Sequence, residues 1–269
     1  MQTAHHRPLP ALTLMIASGW ALLFGVPATA AAGEAAPADC NTVPAVCIPS
    51  LDTLSTEQLR NRAYTGRLNV LQAVEQPGAG GAFMLSYQSD GLALFARLDI
   101  PTSAAPVRGF PLVVLAPGWL PRDQALAWDF ALTGSSTTGT VIDSLVAKGF
   151  AVVTAGYRGR GVVAGRHAEG IAFRDAWGNG SYVSPVFYAI DVLNLLAGLG
   201  SLSDIDWSRW LDTGPEPRFN FRRVSLWGHS QGGDVALTAL AVAGRNPRFP
   251  QPLLAASIWS GNIPDRFTQ

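Results

Sequence analysis

Apolar positions along the chain fall into two kinds of run that alternate. Leu112-Val113-Val114-Leu115-Ala116, Phe150 to Ala155, Val224-Ser225-Leu226-Trp227 and Leu254 to Trp259 are short, nearly continuous apolar stretches of the kind that fill strands buried on both faces. Between them lie segments of helical period. Val141 to Lys148 stops at Gly149, Pro185 to Leu199 has Ser184 as a cap ahead of a first-turn proline, and Asp234 to Ala243 is the third. A strand, a helix and a strand running the same way require a crossover, so this alternation predicts a mostly parallel sheet with helices on both faces.

Upstream the pattern is different. A short helix is expected over Leu54 to Arg62, with Ser55 or Thr56 as cap, followed by strands at Leu68 to Val74, Phe83 to Gln88 and Leu92 to Ile100. The last two flank Ser89-Asp90-Gly91, a turn tripeptide, and predict an antiparallel hairpin. Tyr157 to about Tyr182 reads as a long glycine-rich loop, and Arg158, Arg160, Arg166 and Arg174 in it read as solvated, with a carboxylate-binding role as the rival.

The N-terminal residues belong to neither pattern. His5, His6 and Arg7 precede an apolar run from Leu9 to Val26, and Ala28-Thr29-Ala30 then offers small residues where a signal peptidase cuts. Residues 1–30 are therefore expected to be a secretory signal. An uncleaved anchor is the rival, weakened by Pro10, Ser18, Gly19 and Pro27 within or beside the run. No other segment reads as long and apolar enough to span a membrane. Residues 31–53 form an Ala- and Pro-rich linker carrying the two cysteines, Cys40 and Cys47, for which export favours a local disulfide over a metal site. The domain proper runs over 54–269, and the expected location is secreted or periplasmic.

The chemistry sits in Val224-Ser225-Leu226-Trp227-Gly228-His229-Ser230-Gln231-Gly232-Gly233-Asp234, an apolar strand, a glycine-flanked serine and an apolar helix. A serine on a sharp strand-to-helix turn needs glycines two before and two after it, because side chains there would clash. Its hydroxyl is then exposed beside a helix N-terminus able to stabilise an oxyanion. A phosphate-binding loop does not fit, since lysine is absent and the glycine spacing differs. Ser230 is thus the candidate catalytic nucleophile and the backbone N–H of Gln231 one oxyanion donor. The second donor is placed in Pro117-Gly118-Trp119-Leu120, with Trp119 the candidate; its indole reads equally well as core or as the wall of an acyl pocket.

Leu85 to Leu92, Val113 to Trp119, Gly156-Tyr157-Arg158-Gly159-Arg160-Gly161 and the elbow at Ser230 resemble successive landmarks of the prolyl oligopeptidase-like branch of the α/β-hydrolases, over roughly Phe83 to Ser260. The resemblance implies an α/β-hydrolase fold and acyl transfer to water through a serine ester, with peptide or ester substrates. Many members of the peptidase branch carry a tyrosine where this chain reads Ala116-Pro117-Gly118-Trp119, and its absence shifts the expectation toward esters.

A hydrolase of this fold orders its triad as serine, acid, histidine, yet no histidine follows Ser230. The four histidines are His5, His6, His167 and His229. His229 reads as a packing residue pointing away from the nucleophile, and His167 as a solvated loop residue rather than a relocated base. Asp234 sits on the elbow helix, and Asp265 comes too soon after the last strand to be assigned as the acid. The expectation is an incomplete domain whose last strands are missing, with Leu254 to Trp259 as an exposed apolar edge and little activity. The alternative is a non-catalytic α/β-hydrolase-like binding or interaction protein.

Composition narrows the partners. The formal net charge is zero, with 48% hydrophobic and 14% charged residues, so no overall field draws the chain to nucleic acid or an anionic membrane. A small-molecule ester or peptide is expected as substrate, with no cofactor or metal and with no membrane association once the signal is removed; oligomeric state is left open.

Overall fold

Ser55 opens the first helix as expected: its hydroxyl accepts the Gln58 N–H at 3.3 Å and α1 spans Thr56–Asn61. A computed structural model describes residues 51–74, 80–130, 137–176, 185–211 and 216–261. The signal, residues 31–50 of the linker with Cys40 and Cys47, Ser184 and Asp265 lie outside the described residues. After α1 come β1 (Asn69–Val74), β2 (Gly80–Ser89), β3 (Leu92–Pro101) and β4 (Phe110–Ala116), then α2 (Arg122–Leu126), α3 (Thr137–Ala147) and β5 (Ala151–Ala155). A two-residue ribbon follows, β6 (Val162–Val163) with β7 (Arg166–His167), then α4 (Ile171–Ala176), α5 (Pro185–Gly198), β8 (Phe219–His229), α6 (Gln231–Ala243) and β9 (Leu253–Trp259).

Seven strands form one sheet in the order β1-β2-β3-β5-β4-β8-β9. The hairpin of β2 and β3 closes on Asp90 and Gly91, both at positive φ (53° and 78°), the type I′ geometry that matches strand twist. β3 meets β5 antiparallel, and from β5 through β4 and β8 to β9 every pairing is parallel. Helices cover both faces. Leu112 and Val114 of β4, Val153 of β5 and Leu226 of β8 pack with α5 and α6 in the main core, while Val113, Leu115, Val152 and Trp227 meet Ile142 and Leu145 of α3 on the other face. The unbroken apolar runs follow from that double burial: in a strand covered on both sides, each alternate position needs an apolar side chain. This mixed, mostly parallel sheet with a strand-serine-helix turn is the α/β-hydrolase fold.

Three expectations change. The stretch after Tyr157 is not a bare loop, since it contains the β6–β7 ribbon and α4, and its arginines are not all solvated: Arg158, Arg160 and Arg174 are buried. Arg158 pairs with the fully buried Asp191 of α5, through Nε and Nη2 and through its own backbone N–H, and Asp191 also accepts the Ser89 hydroxyl. Glycines at 156, 159 and 161 let the chain fold tightly enough to tuck these side chains under the sheet's end. Second, Val186–Asp204, α5 with the 3₁₀ turn after it, is long and apolar enough by composition to cross a membrane, yet 72% of the stretch is buried within the fold. Its hydropathy reflects a core helix hidden on nearly all sides. Third, α3 begins at Thr137, ahead of the apolar periodicity that marked it from Val141.

β9 is one of the two edge strands of the sheet among the described residues, with Leu254 58% and Trp259 56% exposed.

Candidate active site

The elbow is built by backbone contact. β8 ends at His229 and α6 begins at Gln231, leaving Ser230 between them at φ 55°, ψ −127°, a conformation an L-residue adopts only under constraint. The constraint is visible in the glycines. A Cβ on Gly228 would lie 2.1 Å from the Gly232 carbonyl oxygen and 2.9 Å from Ala236 Cβ; one on Gly232 would lie 1.9 Å from the Ala116 carbonyl oxygen. Strand β8, helix α6 and the end of β4 therefore approach to distances only hydrogen allows. Two backbone bonds hold the turn, Ser230 N–H to Trp259 O at 2.9 Å and Gly233 N–H to Ser230 O at 2.8 Å.

Opposite the elbow runs Pro117-Gly118-Trp119-Leu120. Gly118 lies against Ser230: a Cβ there would be 3.4 Å from Ser230 Cβ and 3.2 Å from the His229 carbonyl oxygen. Trp119 is 48% exposed, which removes the core reading of its indole and leaves the pocket wall and the N–H donor. Gln231 is buried as the first residue of α6, so its backbone sits at the positive end of the helix beside Ser230. The fold thus gathers Ser230, Gln231 and the Trp119 loop at the C-terminal ends of β4 and β8.

Sequence reasoning missed what holds that loop. Tyr157 Oη donates to Pro117 O at 3.0 Å, Arg160 Nη1 to Gly118 O at 2.5 Å and Arg174 Nη2 to Leu120 O at 2.9 Å. Burial pushes the Tyr157 phenol well above its ordinary range, so it stays a neutral donor. Arg160 lies over the Trp128 ring at 4.3 Å and the Tyr157 ring at 5.4 Å, and burial pushes its guanidinium down to about 10, still cationic at neutral pH. The available signal was the glycine spacing of Gly156 to Gly161, which marks a tight, enclosed turn better than a solvated one.

Neither described histidine, His167 or His229, is bonded to Ser230. Among the described residues the Ser230 hydroxyl has no hydrogen-bond partner. His167 contacts the Leu126 carbonyl at 3.1 Å through Nδ1, and the His229 ring stacks beside Trp227 with centroids 6.3 Å apart. Asp234 is buried in the first turn of α6. Among the described residues no three His, Cys, Asp or Glu side chains are grouped to hold a metal ion.

No family model and no curated protein matches the chain. Its fold is similar to that of a dienelactone hydrolase-like promiscuous phosphotriesterase from metagenomic libraries, at 16% identity over 69% of this chain and 61% of that one, TM-score 0.43. It is similar also to an S-formylglutathione hydrolase from Agrobacterium tumefaciens (18% identity, 72% and 63% covered, TM-score 0.43) and an acetyl xylan esterase from Paenibacillus sp. R4 (17%, 76% and 57%, TM-score 0.38). The chain spans between 57% and 63% of the length of these three structures.

Proposed function

We propose that the chain is a serine hydrolase of ester bonds acting by acyl transfer through Ser230. The observation that carries the reading is the strained Ser230 backbone at φ 55°, ψ −127°, imposed by glycines whose side-chain positions are filled by neighbouring backbone. Such strain persists only where the surroundings over-determine it, and it exposes the hydroxyl at the mouth of a helix N-terminus. Ser230 Oγ forms a bond to the ester carbonyl carbon as its proton passes to solvent water, which returns one to the departing alkoxide. The carbonyl oxygen, now negative, sits against the Gln231 and Trp119 N–H groups; the alcohol departs, and water releases the acid. Esters fit better than peptides, since among the described residues the tyrosine hydroxyl that reaches the loop, that of Tyr157, is spent on Pro117 O. The leader of residues 1–30 would deliver the domain to the periplasm or outside the cell, where the substrate is a small ester.

The unpartnered Ser230 hydroxyl makes a slow nucleophile in this chain and favours a second reading, a non-catalytic α/β-hydrolase-like binding protein. A fluorophosphonate probe separates the two. Labelling of the purified chain that maps to Ser230 and vanishes in Ser230→Ala supports the hydrolase; no labelling, or equal labelling of both proteins, rejects it.

A further inference from the structure

We infer that Arg160 is a positioning residue that orients and polarises the Gly118–Trp119 peptide, making the Trp119 N–H a strengthened oxyanion donor. The inference rests on Ser230 being the nucleophile, as proposed above.

Geometry comes first. Arg160 Nη1 holds the Gly118 carbonyl at 2.5 Å. In a trans peptide the following N–H points opposite to the carbonyl, so the Trp119 N–H is turned away from Arg160. Among the described residues that N–H has no acceptor of its own. The Pro117 and Leu120 carbonyls of the same segment accept from Tyr157 and Arg174, so three of the four carbonyls of the loop are held by side chains of the segment after β5. Gly118 meanwhile packs against Ser230 and the His229 backbone. The loop is thereby pinned by Tyr157, Arg160 and Arg174, with its glycine against the nucleophile.

Charge is the second part. Arg160 is 5% exposed, and among the described residues no carboxylate pairs with it; its Nε has no hydrogen-bond partner. A buried cation without a counter-ion is costly. The faces of Trp128 and Tyr157 offset part of that cost. Arg158, two residues away, has Asp191 beside it, so this fold can supply a carboxylate where it needs one. At Arg160 the partner is instead a peptide dipole whose far end is a free N–H. A cation on the carbonyl draws electron density from the amide and strengthens that N–H as a donor. Negative charge developing on a substrate oxygen at that N–H would be stabilised in place, without rearrangement.

The test uses fluorophosphonate inactivation of the full chain, in which a bond forms between Ser230 Oγ and phosphorus, the P–F bond breaks with fluoride leaving, and the serine proton goes to solvent. The first-order inactivation step is read separately from reversible probe affinity, in the parent, Arg160→Lys, Arg160→Gln and Arg160→Met, each with its melting temperature. The expected order is parent and Lys fastest, Gln slower and Met slowest, by about tenfold or more, with probe affinity unchanged. An inactivation step in Arg160→Met equal to the parent's, or Gln equal to Lys, overturns the inference while leaving Ser230 as nucleophile. No labelling of the parent overturns the nucleophile itself. Loss of folding in all three variants also overturns it, because Arg160 would then be a packing residue.

Discussion

Gly228 and Gly232 touch through their backbones: the hydrogen that stands in for a side chain on Gly228 faces the Gly232 carbonyl oxygen, where a Cβ would sit at 2.1 Å. Strand and helix cannot both hold their places if either residue gains a methyl group. Gly228→Ala and Gly232→Ala should each lower stability by about 3 kcal/mol or more, the range of severe overpacking. Gly91, at positive φ with open space around it, is the control, and Gly91→Asn should cost under about 1 kcal/mol. Urea unfolding of the three variants checks the contrast; a Gly232→Ala protein as stable as Gly91→Asn would show that the elbow is looser than described.

The strain at Ser230 has a thermodynamic sign. A residue held at φ 55°, ψ −127° costs about 1–3 kcal/mol, which glycine largely avoids at some loss of chain entropy. Ser230→Gly should therefore raise stability by about 1 kcal/mol while abolishing probe labelling. Calorimetric melting decides it, and a lowered midpoint would mean the backbone there is relaxed.

Arg158 and Asp191 form a buried pair, with Nη2 to Oδ1 at 2.7 Å, and Asp90 as a second partner of Arg158 at 3.1 Å. Burial alone would lower the Arg158 value, but the Asp191 and Asp90 carboxylates outweigh it and hold the guanidinium charged. Asp191→Ala leaves the buried cation with only the more distant, partly exposed Asp90 and should cost about 3 kcal/mol. The double variant Arg158→Met, Asp191→Leu removes both charges and should be distinctly more stable than Asp191→Ala. Denaturation of single and double variants gives the coupling, and additivity would contradict a direct pair.

Alkaline pH should unfold the protein through its tyrosines. Burial pushes Tyr64 up to about 12 and raises Tyr87 and Tyr157 well above the ordinary phenol range. Their hydroxyls donate to the carbonyls of Leu59, Gly156 and Pro117, bonds that require the neutral phenol. The unfolded chain releases these protons near pH 10 while the folded chain keeps them. Stability is thus fully present below pH 10 and falls as pH rises toward 12. Phenolate absorbance at 295 nm should lag in the native protein and jump on unfolding; five tyrosines titrating together near pH 10 in folded protein would refute this.

Much of the fold was legible because local patterns and final burial agree. Val113 and Val114 point to opposite faces of β4, yet both are apolar because α3 covers one face and α5 with α6 the other. Ser55, the Asp90-Gly91 turn and the glycines around Ser230 are likewise local signals, each tied to one backbone geometry. The arginines were not legible. Polarity and glycine content make Tyr157 to Arg174 look solvated, and only contacts with Asp191, Trp128 and the Pro117–Leu120 carbonyls, distant in sequence, make burial of those cations tolerable. Val186–Asp204 shows the same limit from the other side, since hydropathy cannot tell a lipid environment from a protein core.

By itself the sequence determined the hairpin, the alternation of the main buried strands with α3, α5 and α6, and the serine between close-packed glycines, because spacing and residue type specify those features within a few turns of chain. Tertiary structure alone decided which carbonyls the loop opposite Ser230 surrenders and which residue takes them. Hydrogen bonds spanning some 40 to 54 positions, such as Tyr157 to Pro117 and Arg174 to Leu120, depend on how the sheet brings β4 and β5 side by side, and nothing in local pattern encodes that meeting.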